Sequence, residues 1–330
     1  MLADGHLDLC YDLLRRRQRG EVGSLAGEYL PRWRRAGVGL VVAAVYVDTL
    51  EREEDYYGQA MQQLDALRGE LAGVEGDVAL CTGAGQLTQA RARGQVALLL
   101  SLEGAEPVGP EWRRLEEFYR LGVRLLGLTW SRNNRAGCGG GYEDDPASDA
   151  PGLTPFGRAL AVRAEELGML LDLSHLNQGG CDDVAALARR PFFASHSNAR
   201  ALRPMNRNLS DRTLRAIAGR GGVVGLNGFS GLVAGPEGAT VAALAEQADY
   251  LRAILGPGGV GLGLDLMGPM HPEGVPFTAG GVTVPGFDIL PDHSAVPALL
   301  AELARRGYGR EELAEIAGEN WFRFFSQNLP

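Results

Sequence analysis

The 330-residue chain contains no lysine; all 32 of its basic residues are arginine. This excludes a lysine Schiff base and a carboxylated lysine bridging two metal ions. Histidine is scarce, with five in the chain, so the places where it falls carry information. Cysteine is limited to Cys10, Cys81, Cys138 and Cys181, far apart and without a CxxC pair. That spacing argues against a disulfide framework or a structural zinc knot and predicts reduced thiols in a cytoplasmic protein. No apolar run reaches the ~18 residues of a membrane span, and the first residues lack the basic and apolar regions of a signal peptide. No GxGxxG follows the first apolar segment, which weakens a dinucleotide-binding reading. A net charge of −9 disfavours nucleic acid and anionic membrane as partners. The densest basic run, Arg15–Arg17, reads as one solvated helical turn.

What is present is the balance of a globular enzyme: 45% hydrophobic and 22% charged residues, enough to bury a large core. Eight short apolar runs recur, at Leu2–Leu9, Val38–Val47, Val96–Leu102, Val123–Thr129, Met169–Leu173, Phe192–Ala194, Val223–Leu226 and Val260–Leu264. Between them lie amphipathic stretches with helical spacing, among them Glu51–Leu71, Glu111–Leu121, Pro155–Leu167, Asp182–Arg189, Asp211–Ala218 and Thr240–Ile254. Alternating units with near-continuous apolar strands predict a parallel sheet buried on both faces. Eight units predict a single (β/α)8 TIM barrel domain over residues 1–330, with Val296–Gln327 supplying two or three closing helices. Two long loops, Ser131–Thr154 and Gly268–Ser294, follow strand C-termini, where barrel enzymes place their sites.

Three of the five histidines end predicted strands: His6 in DGHLDL, His175 in DLSHLN and His196 in ASHSN. The opening MLADGHLDLC puts Asp4, His6 and Asp8 at every second position, and strand alternation predicts one face for His6 and Asp8. His175 and His196 are 21 residues apart, about one βα unit, which predicts equal heights on neighbouring strands. Each follows a serine able to steady its ring. Glu103 closes the apolar strand VALLLSLE; burying it unpaired would be costly, so a cation is its natural partner. Imidazoles and carboxylates in this set suit two divalent ions, most naturally zinc. Such a pair, about 3.5–4 Å apart, lowers the pKa of a shared water. Asp265, after the last apolar run, reads as a general acid or base, and Arg207, before the helix N-cap Ser210, as a clamp for a substrate carboxylate. His271 and His293 fall in the second long loop and read as loop residues near substrate.

The stretches DGHLDL, SLEG, DLSH, ASHSNAR…RNLSD, GLGLDL and GENWFRFF, in this order over nearly the whole chain, resemble the renal (membrane) dipeptidase family of the amidohydrolase superfamily. The resemblance implies a binuclear zinc site that hydrolyses dipeptides, including those with a C-terminal D-residue, through a metal-bridging hydroxide. It implies His6 and Asp8 on one ion, Glu103 as the bridge and catalytic carboxylate, and His175 and His196 on the other. It makes Arg207 a substrate contact and Asp265 the proton carrier, also beside substrate. Two positions depart from the family. Trp130, in GLTWSRNN, stands where the best-known members carry a histidine, with Asn133 or Asn134 as a stand-in polar group. Met267 stands where the family usually has a second aspartate. Family members are often dimers, so the resemblance allows a homodimer. The alternatives are a non-hydrolytic metal-binding paralogue and a hydrolase of another small amide or a lactone.

Overall fold

Alternate residues of the two longest strands go to different places. In β2 (Val38–Tyr46) and β4 (Val96–Glu103) every residue is buried. Leu40, Val42, Ala97 and Leu99 join one apolar cluster, whereas Val41, Ala43, Val45, Leu98, Leu100 and Leu102 join another. The first cluster fills the space enclosed by the sheet, and the second lies between the sheet and its helices. The period of two then carries Ser101 and Glu103 onto the enclosed side, so the glutamate emerges above an apolar floor.

The computed structural model describes residues 1–47, 55–142, 151–235, 237–268, 277–279 and 282–330. It is mixed α/β, with a parallel sheet of TIM-like form. With β1 (Leu2–Leu7), β3 (Val78–Leu80), β5 (Val123–Gly127), β6 (Leu170–Asp172), β7 (Val224–Leu226) and β8 (Val260–Leu262), the order is β6-β5-β4-β2-β1-β8-β7. Single parallel bridges, Asp172 to Phe193 and Ala194 to Val224, link the two ends through residues 193 and 194. The predicted run Phe192–Ala194 therefore takes its place in the sheet, but only as isolated bridges. The short β3, paired with the start of β4, was not among the predicted runs. Three residues, after Gly76 and Asp77 and before Cys81, give too little periodicity to register.

Predicted helices are found at Tyr56–Leu71, Trp112–Arg120, Pro155–Leu167, Gln178–Leu187, Asp211–Gly219 and Val241–Leu255. Thr154, Asn177, Ser210 and Thr240 start four of them by accepting a backbone N–H in the first turn. Arg16 corrects the solvated-turn reading of Arg15–Arg17. It is buried, with its guanidinium on Asp12 at 2.6 Å and on Glu28 at 2.8 Å. The second long loop contains an antiparallel hairpin, β9 (Phe277–Ala279) with β10 (Val282–Val284). His271 lies outside the described residues.

The closing helices do more than cover the sheet. In the helix Asn320–Asn328, Trp321, Phe324 and Phe325 join the floor cluster, and the Trp321 indole donates to Leu262 O at 2.7 Å. Gly5 makes room for it: a β-carbon there would lie 2.6 Å from the indole and 2.7 Å from the Ser195 carbonyl.

Candidate metal centre

The first ligand-bearing strand is irregular where it matters. Between Asp4 and Leu7 the β1 register slips against β2, with three steps on β1 matching two, from Val41 to Ala43, on its partner. Such a bulge re-aims side chains at a strand end. His6 and Asp8 still turn towards one another as expected, but through this bulge and a helix start instead of plain strand alternation. Asp4 turns to His293, with Oδ2 2.8 Å from Nε2. Asp8 lies beyond the strand, at the start of the helix Leu9–Gln18. The reading of His293 is corrected: it is buried against Asp4 and does not line the pocket.

The metal-type donors nevertheless converge. His6 Nε2 lies 3.7 Å from Asp8 Oδ1, 3.6 Å from Glu103 Oε1 and 3.8 Å from Asp265 Oδ1. Glu103 Oε1 is 2.8 Å from His175 Nε2 and 3.5 Å from His196 Nε2. The two latter Nε2 atoms face each other at 2.8 Å. Two overlapping trios, His6–Glu103–His196 and His6–Asp8–Asp265, have all donor atoms within 4.8 Å of one another. The rings of His6 and His196 stack at 3.7 Å.

Hydroxyls hold the far side of two rings. Ser195 Oγ is 2.7 Å from His196 Nδ1, as its position predicts. For His175 the partner is Ser131, at 2.7 Å, and not the preceding Ser174, whose hydroxyl accepts the His196 N–H at 3.0 Å. The tautomer that donates Nδ1–H to serine leaves an Nε2 lone pair for an ion.

The electrostatics fit a cation. Burial alone would lower the His6 pKa, but the carboxylates of Glu103, Asp8 and Asp265 push it up to about 10. Burial raises Glu103 well above the usual carboxylate range, with Asp8 and Asp265 adding to the rise against the pull of His6. Asp265 is raised for the same first reason. His175 and His196 are driven well below the ordinary histidine range by burial and then by Arg207 and His6, so both rings are neutral. Neutral imidazoles and clustered carboxylates are the ligand forms a divalent ion takes. His6 Nε2 and Asp8 Oδ1 are buried with no hydrogen-bond partner, which a coordinated ion would supply.

The pocket above this cluster is lined by Asp8, Glu103, Trp130, Tyr142, His175, Phe229, Asp265 and Met267, around about 320 Å³ counting its open mouth. Trp130 stacks on His175 at 5.3 Å. Arg207 is buried instead of arching over the site. It donates to Ser197 Oγ and His196 O, both at 2.9 Å, and lies 3.1 Å from His175 Nε2. Asn134 is placed elsewhere: its side chain donates to Leu128 O and accepts from Ala136 and Gly137, fixing the loop. The sequence reading missed Tyr142, Phe229 and Asn227, the last of which donates to Asp265 Oδ2 at 3.0 Å. The available signal was NGF, Asn227 to Phe229, which directly follows the predicted strand Val223–Leu226.

The family model described as membrane dipeptidase (peptidase family M19) matches residues 1–329. The chain belongs to the membrane dipeptidase family. Among solved structures it resembles the metallopeptidase dipeptidase AC, at 30% identity and TM-score 0.86 over 99% of this chain and 98% of that one. It also resembles a Rhodobacter sphaeroides metallopeptidase liganded with a phosphinate mimic of L-Ala-D-Ala, at 28% identity and TM-score 0.86, over 100% and 99% of the two chains. Dipeptidase 3 of Rattus norvegicus is 28% identical over 90% of this chain, which spans 58% of the rat protein's length. Among the described residues, no helix of this dipeptidase-family chain is long and apolar enough to cross a membrane.

Proposed function

We propose that the chain is a zinc dipeptidase holding two ions and cleaving small dipeptides, C-terminal D-residues included. The carrying observation is the meeting of three imidazole Nε2 atoms around Glu103 Oε1 at 2.8 to 3.6 Å. Membership of a dipeptidase family and the similarity to a peptidase liganded with an L-Ala-D-Ala mimic support the substrate class.

His6 and Asp8 would hold one ion, His175 and His196 the other, and Glu103 both. Divalent ions in such a site supply Lewis-acid polarisation and charge stabilisation. The rest falls to the chain. Asp265, oriented by Asn227 and raised in pKa by burial, takes a proton from the attacking water as its oxygen bonds to the carbonyl carbon, and passes that proton to the amine nitrogen as the C–N bond breaks. Arg207 sets a fixed positive charge beside the His175 ring. Trp130, Tyr142, Phe229 and Met267 exclude water and wall the substrate. Trp130 donates at most one hydrogen bond and carries no proton. Asn134, bound to its loop, would contribute to substrate binding only through the shape of that loop. Four free thiols support a cytoplasmic location; a homodimer is part of the family reading.

The test joins metal content to turnover. Purified chain is assayed by elemental analysis and on L-Xaa-L-Xaa and L-Xaa-D-Xaa dipeptides, beside Glu103→Gln. The expected result is about two ions per chain and hydrolysis that falls by about 10³-fold in the variant. Bound metal with no turnover on any dipeptide would favour another amide, a lactone or a non-hydrolytic paralogue. Absence of metal after zinc is supplied would overturn the reading.

A further inference from the structure

Among the described residues, two that are not glycine adopt a left-handed backbone: His175, with φ 68°, and Asp265, with φ 56°. Both belong to the site. Such a conformation is unfavourable for a residue with a side chain and persists only where its surroundings over-determine it. β6 ends at Asp172 and β8 at Leu262, so the strand ladders stop short of both residues.

Two buried carboxylates take over at those points, in the same way. Asp172 Oδ1 accepts the N–H of Ser174, the amide just before His175, at 2.9 Å. The same atom accepts the N–H of Ser195, just before His196, at 2.9 Å. Asp4 Oδ1 accepts the N–H of Leu264, just before Asp265, at 2.9 Å, and the N–H of His6 at 3.3 Å. Each carboxylate thus joins two neighbouring strand ends, and each joined pair carries part of the donor set. Asp4 and Asp172 are 1% and 5% exposed and neither lines the pocket. The remaining oxygen of Asp4 is secured by His293. A carboxylate is a stronger acceptor for backbone N–H than a neutral group, which suits a bond that must hold a strained turn.

We propose that Asp4 and Asp172 are positioning residues, two equivalent carboxylate latches. Asp172 fixes the left-handed turn at His175 together with His196, and Asp4 fixes the left-handed turn at Asp265 together with His6. The proposal rests on the metal reading of the site. It gives four of the six donors two separate supports, His175 and His196 on one latch and His6 and Asp265 on the other.

Zinc affinity of the full chain, measured by competition with a chromophoric chelator, tests it. Asp172→Ala and Asp4→Ala should each weaken zinc binding by about 10–100-fold, the scale seen when a ligand's supporting partners are removed. Asp172→Asn and Asp4→Asn keep an acceptor oxygen and should restore most of that affinity, a rescue that lost packing would not give. Cobalt-loaded Asp172→Ala and Asp4→Ala should show different visible spectra, because different ligands loosen. Amide hydrogen exchange on the unsubstituted chain gives a second reading if an alanine variant does not fold. The N–H groups of Ser174, Ser195 and Leu264 should exchange only through global unfolding. Folded alanine variants that bind zinc like the unsubstituted chain, or rapid exchange of these three amides, would overturn the latches alone. An unsubstituted chain that takes up no zinc would overturn the metal reading and the latches with it.

Discussion

The two sides of the candidate centre use the same residue types and reach opposite states of charge. On one side His6 faces Asp8, Glu103 and Asp265, which raise its pKa to about 10. On the other, His175 and His196 face each other and Arg207, and both are held neutral. The carboxylate side offers strong charge but carries a proton that an ion must displace. The imidazole side offers free lone pairs and a nearby positive charge. Neighbours decide which state a histidine takes, since all three rings are buried alike.

The sharpest way to break the comparison is to neutralise the carboxylate meant to move protons. Asp265→Asn is expected to keep most of the metal and to lose about 10²–10⁴-fold in turnover, the usual share of a positioned acid–base group. If metal is lost in parallel with activity, Asp265 belongs among the ligands of the carboxylate side. The next test is pH. Because the His6 pKa is raised to about 10, its proton must leave when an ion binds, so affinity on the carboxylate side should fall steadily as pH drops below about 10. The imidazole side, already neutral, should change little over that range. Proton release measured by titration calorimetry in buffers of different ionisation enthalpy separates the two. In the metal-free chain, the His6 contribution to stability is present below its unfolded pKa of 6.5 and is lost as pH rises through about 10. The smallest effect is expected from the serines. Ser131→Ala and Ser195→Ala each remove the hydroxyl beside one ring. Each should weaken zinc on the imidazole side by about tenfold and leave the carboxylate side unchanged.

Much of this centre was legible because donors are conspicuous in apolar strands. Glu103 continues the alternation of Ala97 and Leu99, and no packing need explains a carboxylate there. His175 and His196 stand one βα unit apart for the same structural reason. The illegible parts depend on where chain-distant groups meet. Asp4 stands in the same alternating triplet as His6 and Asp8, and only in the fold does it meet His293, 289 residues away in sequence. Ser174 is the serine that sequence adjacency offers His175, and Ser131 takes its place only once the loop after β5 is folded. Arg16 looked solvated because two of its three acidic partners, Glu21 and Glu28, belong to the next segment, while Asp12 stands four residues before it in the same helix. Asn134 is an ordinary turn residue, whose side chain satisfies nearby backbone before it can reach a pocket.

The indole of Trp321 beneath Gly5 also sets an order of events during synthesis. The strand that bears His6 is synthesised well before the floor on which it rests, because Trp321 lies far downstream of Gly5. Contacts of such long sequence separation form slowly. While the residues between Gly5 and Trp321 are made, His6 waits without its finished support, and the floor beneath it is complete only once the indole has docked under the glycine.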